Sequence, residues 1–131
     1  MIFTDAELAY LRGQMIGRFS TIEPGGGPQI RPVGVHLGRD ASTIDVVGHA
    51  LADTQKWRNV LRHPRVAFIV DTVVSVEPPE ARGIEIRGEA EALYGQGPTD
   101  GGLSGDVIRI HPRRVVAWNL DRGGTQARTV G

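Results

Sequence analysis

The segment Asp53-Thr54-Gln55-Lys56-Trp57-Arg58 carries the most chemical information in the chain. Asp53 or Thr54 can cap a helix that begins here. Lys56 and Arg58 then fall in or near its first turn, where cations are unfavourable because a helix N-terminus carries partial positive charge. An anion reverses that sign. Free backbone N–H groups together with Lys56 would form a cradle for a phosphate. The alternative is a solvated helix start with Arg58 paired to a nearby acid. Arg31 is a second anomaly. In a strand expected from Gln29 to Leu37 it shares a face with Val33, Val35 and Leu37. An arginine on an apolar face needs a partner, which a phosphate would supply. Otherwise it lies at the strand edge and reaches water. Val47-Gly48-His49 precedes the cationic helix. Gly48 would let a planar ligand approach the backbone closely, and His49 could hydrogen-bond a ring or a phosphate. Trp118 follows Val115-Val116-Ala117 and serves either as packing or as one wall of a pocket.

Other features carry less. His36, His49, His63 and His111 are scattered without ligand spacing, so no metal site is expected. Gly25-Gly26-Gly27 precedes a strand rather than opening a helix, which excludes a dinucleotide fingerprint. Neither Ser20 nor Ser42 sits in a nucleophile elbow.

The elements that must position these residues are mostly strands. Thr4-Asp5-Ala6-Glu7 fits a capping box and predicts a helix from Asp5 to Arg12, ending near Gly13. Ile16–Ile22 and Gln29–Leu37 form a hairpin about the turn Glu23–Pro28, and Thr43–Gly48 follows as a third strand. A second helix covers Asp53 to His63, stopped by His63-Pro64. The apolar run Val66–Val70 predicts a strand buried on both faces. Arg82–Leu93 alternates cleanly, with Ile84, Ile86, Gly88, Ala90 and Ala92 on one face and Glu85, Arg87, Glu89 and Glu91 on the other. After a mobile loop over 95–105, Asp106–Trp118 forms a last strand interrupted at Pro112. The expectation is a mainly β domain over residues 1–121, an antiparallel barrel of six strands with two short helices, and a polar, disordered tail over 122–131.

Composition narrows the function classes. The 131 residues suit one domain, and a short chain exposes much surface, which favours oligomerisation. Fifteen basic residues balance fifteen acidic ones, so no global charge argues for nucleic acid or an anionic membrane. The lack of cysteine removes disulfides and thiolate chemistry. No apolar stretch reaches transmembrane length, and the first residues lack a signal-peptide pattern, so a cytoplasmic location is expected.

The order of these segments is familiar. Arg31-Pro32-Val33-Gly34-Val35 is followed by Val47-Gly48-His49, then Thr54–Val60, then His63-Pro64-Arg65-Val66-Ala67-Phe68. This resembles the pyridoxamine 5′-phosphate oxidase-like superfamily of split β-barrel flavoproteins. The segments Phe3–Leu11, Arg82–Gly88 and Ile108–Trp118 are similar to its F420-dependent branch. The resemblance implies a six-stranded split barrel that forms a homodimer with two cofactor sites at the subunit interface. It implies that Arg31 and Lys56 hold the cofactor phosphate, with Arg58 adding charge. Pro32, Val33, Val47, Gly48 and His49 would line the flavin, and Thr54 and Gln55 would complete the cradle. Trp118 would reach the site from the partner chain. The implied cofactor is F420, with FMN the alternative, and the implied reaction is hydride transfer to a small electron-poor acceptor. A carrier of cofactor without turnover is the non-enzymatic alternative. FMN-using oxidases of the superfamily carry glutamine where this chain has Gly83, and a pyridoxal phosphate-binding tail that is missing after Trp118. Vitamin B6 oxidation is therefore not expected.

Overall fold

A computed structural model describes all residues, 1–131. Helix α1 spans Asp5–Arg12, as the capping box dictates. Glu7 N–H donates to Thr4 Oγ1 (3.1 Å), and Thr4 N–H donates to Glu7 Oε1 (3.0 Å). Strands β1 (Ile16–Ile22) and β2 (Pro28–Gly34) form the expected hairpin, with Phe19 opposite Arg31 and Thr21 opposite Gln29. β3 is only Ile44–Val46, shorter than its sequence suggests. A single turn of 3₁₀ helix over Leu51–Asp53 leads into α2 (Gln55–Arg62). Then come β4 (Arg65–Ser75), β5 (Glu80–Leu93) and β6 (Val107–Trp118).

The strands form one antiparallel sheet in the order β2-β1-β4-β5-β6-β3. The sheet coils without closing, so β2 and β3 are its edges. The expected count of six strands is short by one. Thr125–Thr129 forms β7, which pairs with Arg114–Trp118 of β6. β3 takes Ile108–Ile110 of the same strand, so β3 and β7 divide β6 between them. Half of the segment expected as a disordered tail is thus strand. Asn119 makes the turn into it. Its φ is 55°, and its side chain donates to the Ala81 carbonyl (2.7 Å) and accepts from Gly124 N–H (3.0 Å).

Arg128 fastens β7 to α1. Its guanidinium holds both Glu7 carboxylate oxygens (2.6 and 2.8 Å) and the Ile2 carbonyl (2.7 Å). Glu7, first read as half of a capping box, is 3% exposed and pairs with an arginine whose side chain is a third exposed.

The core lies within the curl of the sheet. Phe19, Phe68, Ile84, Ile86, Ile108 and Ile110 come from the strands, and Phe3, Leu11, Leu51 and Trp57 seal it from the helical side. The run Val66–Val70 alternates, with Val66, Phe68 and Val70 buried and Ala67 and Ile69 half-buried. It has one core face rather than two, because Ala67 and Ile69 turn to the outer side of the sheet. Pro112 does not interrupt β6. The pairing shifts by one residue between Gly88–Pro112 and Arg87–Arg114, so a β-bulge absorbs Arg113. No helix is long and apolar enough to cross a membrane.

Candidate functional site

Helix α2 positions the site. Thr54 is its N-cap, accepting from Trp57 N–H (3.3 Å) and donating to the Leu51 carbonyl (2.7 Å). Trp57 is 1% exposed and packs against Tyr94 with ring centroids 5.0 Å apart. Asn59, fully buried on the same inner side, donates to Thr21 Oγ1 (2.9 Å) and Gln29 Oε1 (3.4 Å) and accepts from Gln55 (2.8 Å). This polar chain fixes the helix start against β1 and β2. Sequence reading passed over Asn59, although a polar side chain between Trp57 and Val60 on an amphipathic helix is itself a signal.

Lys56 therefore stands beside Arg31. It is half-buried and has neither an ion pair nor a side-chain hydrogen bond within the chain. Burial first, then the charge of Arg31, hold its pKa below the ordinary lysine value. Arg31 is exposed, and its one hydrogen bond goes to the neighbouring Ile30 carbonyl (2.9 Å). Of the two expectations for Arg31 the edge position is the one realised: it stands opposite Phe19, but β2 is an edge strand and the guanidinium reaches solvent. What distinguishes the pair is two cations close enough to repel, neither of which forms an ion pair within the chain. Arg58 plays a different part. It donates to the Asp53 carbonyl and to Gln55 Oε1, each at 3.0 Å, and so braces the helix start without pairing to an acid.

Pro32 is exposed on β2 and lacks the N–H an edge would otherwise leave unpaired, while Val33 is buried opposite Gly17. Val47 and Gly48 continue beyond β3 and are half-buried. A Cβ at Gly48 would meet nothing closer than Leu51 at 3.7 Å. The chain's own packing does not demand this glycine, which is consistent with space kept for a flat ligand. His49 Nδ1 lies 2.9 Å from the Gly102 carbonyl. A carbonyl only accepts, so Nδ1 carries the proton and Nε2 of the neutral ring is left as an acceptor. Ser104 N–H donates to the Gly48 carbonyl (3.0 Å). The loop expected to be mobile is thus latched to the site at two points and includes a 3₁₀ turn over Asp100–Gly102. His49→Ala should remove one latch, worth about 1 kcal/mol. Amide hydrogen exchange should then speed up at Leu103 and Ser104 while β5 and β6 keep their protection.

Register places Arg31 in one row with Phe19, Phe68 and Ile86 on the core face of the sheet. Trp118 lies opposite Gly83, three residues along β5 from Ile86 and so on the other face. At the hairpin end of β5, Tyr94 packs against Trp57. Gly83 is buried, and a Cβ there would sit 2.5 Å from the Trp118 ring and 2.6 Å from the Val70 carbonyl. Gly83→Ala should therefore cost about 1–3 kcal/mol through overpacking, read from the midpoint of urea unfolding. A glutamine at this position would displace Trp118.

Comparison with known proteins agrees with this architecture. Residues 3–122 match the family described as pyridoxamine 5′-phosphate oxidase. A reductase of 5a,11a-dehydrotetracycline and 5a,11a-dehydrooxytetracycline from Streptomyces rimosus is 38% identical over 126 residues, covering 92% of this chain and 86% of that protein. Among solved structures, the conserved hypothetical protein Rv2991 of Mycobacterium tuberculosis superposes with a TM-score of 0.69 at 22% identity, covering 100% of this chain and 94% of that one. A structure titled F420 reductase superposes with a TM-score of 0.63 at 20% identity, covering 86% and 98%. These last two likenesses concern the fold alone. The match over nearly the whole chain and the relative at 38% identity settle the family: the chain belongs to the pyridoxamine 5′-phosphate oxidase family.

Proposed function

We propose that the protein is an F420-dependent reductase. The observation that carries this reading is the pair Lys56, at the start of a capped helix, and Arg31 on β2, two cations close enough to repel and without an ion pair. F420 carries a phosphodiester and an acidic tail, which suit such an open cationic site. Arg31, Lys56 and the N–H groups behind Thr54 and Gln55 would hold the phosphate. Pro32, Val33, Val47, Gly48 and His49 would line the ring, with the 95–105 loop keeping His49 in place. When bound in reduced form, the cofactor supplies a hydride from its deazaflavin ring. The protein orients, shields from water and fixes a proton position: His49 Nε2 accepts in the neutral ring and donates only once the ring is protonated. Trp118 would close the site from a second copy of the chain, since within one chain it falls on the face of the sheet opposite to that of Arg31. The relative that reduces a dehydrotetracycline supports an electron-poor enone-type acceptor.

Single-turnover oxidation of reduced F420, followed by its absorbance, tests this against a panel of conjugated enones that includes a dehydrotetracycline. The expected result is acceptor-dependent oxidation that Lys56→Ala slows at subsaturating cofactor. Binding of F420 with no oxidation by any acceptor would favour a carrier, and activity with FMN alone would favour the FMN enzyme.

A further inference from the structure

We infer that the outer face of the sheet holds a second anion site, separate from the Lys56–Arg31 pair, for a small ligand bearing several carboxylate or phosphate groups. The place is an open groove of about 670 Å³ across β1, β4, β5 and β6. Its lining includes Arg65, Arg87, Arg113 and Arg114, against one carboxylate, that of Glu89.

The backbone is built to gather these charges. In an unbroken β6, consecutive residues would point to opposite faces. The bulge at Arg113 breaks that alternation, and both Arg113 and Arg114 are exposed beside the buried Pro112 and Val115. Gly88 permits the bulge, because a Cβ there would collide with the His111 carbonyl. Arg114 then stands directly opposite Arg87, a like-charge cross-strand pair that is unfavourable by itself.

The neutralisation within the chain is incomplete. Arg87 pairs with Glu85 (2.9 Å), and Arg113 donates to the Pro112 carbonyl (3.2 Å). Arg65 faces Glu89 in register without forming an ion pair, and Arg114 has no side-chain partner. Planar guanidinium groups match carboxylate and phosphate oxygens in bidentate fashion. Several guanidiniums spread over one groove suit several linked oxyanions better than a single ion. Ser20 at the groove wall adds a hydroxyl donor.

Isothermal titration at low ionic strength tests the inference with two probes, tricarballylate and pyrophosphate, which separate a carboxylate ligand from a phosphate ligand. The proteins are the wild type, Lys56→Ala, and the double variant Arg65→Gln/Arg114→Gln. At least one probe should bind the wild type and Lys56→Ala equally. The double variant should bind it about tenfold or more weakly, as expected for lost charge-assisted hydrogen bonds. Its melting temperature should stay level or rise, because a repulsive pair has been removed. The inference is overturned if neither probe binds, or if Lys56→Ala abolishes binding while the double variant keeps it. A fall in melting temperature with unchanged probe affinity would also overturn it, marking the arginines as structural. A dimer that becomes monomeric in the double variant with unchanged probe affinity would overturn it too, making the groove an interface.

Discussion

Arg128→Ala is expected to cost about 3 kcal/mol of stability, seen as a fall in Tm of roughly 10 °C for a chain of this length. The variant leaves the Glu7 carboxylate, 3% exposed, without its guanidinium partner. The loss spreads over two connections, because Arg128 also holds the Ile2 carbonyl and so ties β7 to the N-terminal segment. The pair also sets an acid limit. Burial alone would raise the Glu7 pKa. Hydrogen bonds from Arg128 and the Thr4 N–H, with the Arg128 charge, more than offset this and hold it below its ordinary value of 4.5. The unfolded chain therefore binds the proton first as pH falls. The contribution is fully present above about pH 4.5 and is lost as pH falls through the lower, folded value. In Arg128→Ala only the Thr4 N–H bond still opposes burial, and Glu7 protonates more readily than in the wild type. The stability gap between wild type and variant should accordingly narrow below pH 4.5. A gap that stays constant from pH 7 to pH 3 would show that the ion pair contributes little.

Lys56→Ala is expected to leave the ligand-free fold intact, or slightly more stable, and to weaken F420 about ten- to a hundredfold. The two halves have one cause. Without ligand, burial and the facing Arg31 disfavour the charged ammonium. That penalty is fully present below the depressed folded pKa and disappears as pH rises through it towards the ordinary value. Removing the side chain at neutral pH removes the penalty. A bound phosphate turns the same charge into a charge-assisted hydrogen bond worth about 1.5–3 kcal/mol, at about 1.4 kcal/mol per decade of affinity. Lys56→Gln should behave alike, keeping length and losing charge. Fluorescence titration of F420 alongside thermal melting reads both halves. A large loss of ligand-free stability with unchanged affinity would make Lys56 a structural residue and move the phosphate elsewhere.

Local signals in the sequence were reliable. The capping box and Gly13 bound α1, and the strand Ile16–Ile22 and helix α2 lie where spacing places them. The cationic helix start was legible because charge against a helix dipole is a conflict that one segment displays. What escaped depends on distant partners. Thr125–Thr129 is short and mostly exposed, so its own pattern carries no core face, and its anchor lies 121 positions away at Glu7. The bulge at Arg113 is a mismatch of register between two strands, which neither strand shows alone. Pro112 accordingly looked like an interruption. Arg31 stayed open between a partnered position on an apolar face and a strand edge, because edge position depends on the sheet order, which one strand does not show. Trp118 was legible as a wall or packing residue, but not the face of the sheet it takes relative to Arg31, which follows from the register of four strands.

Native mass spectrometry with F420 and FMN offered together tests the central claim most directly. The account predicts a dimer that retains two F420 molecules in preference to FMN, and whose Lys56→Ala variant loses them at the same cofactor concentration. A protein that copurifies with stoichiometric FMN that F420 cannot displace, or a monomer that binds F420 as tightly as the wild type with Trp118 removed, would contradict it.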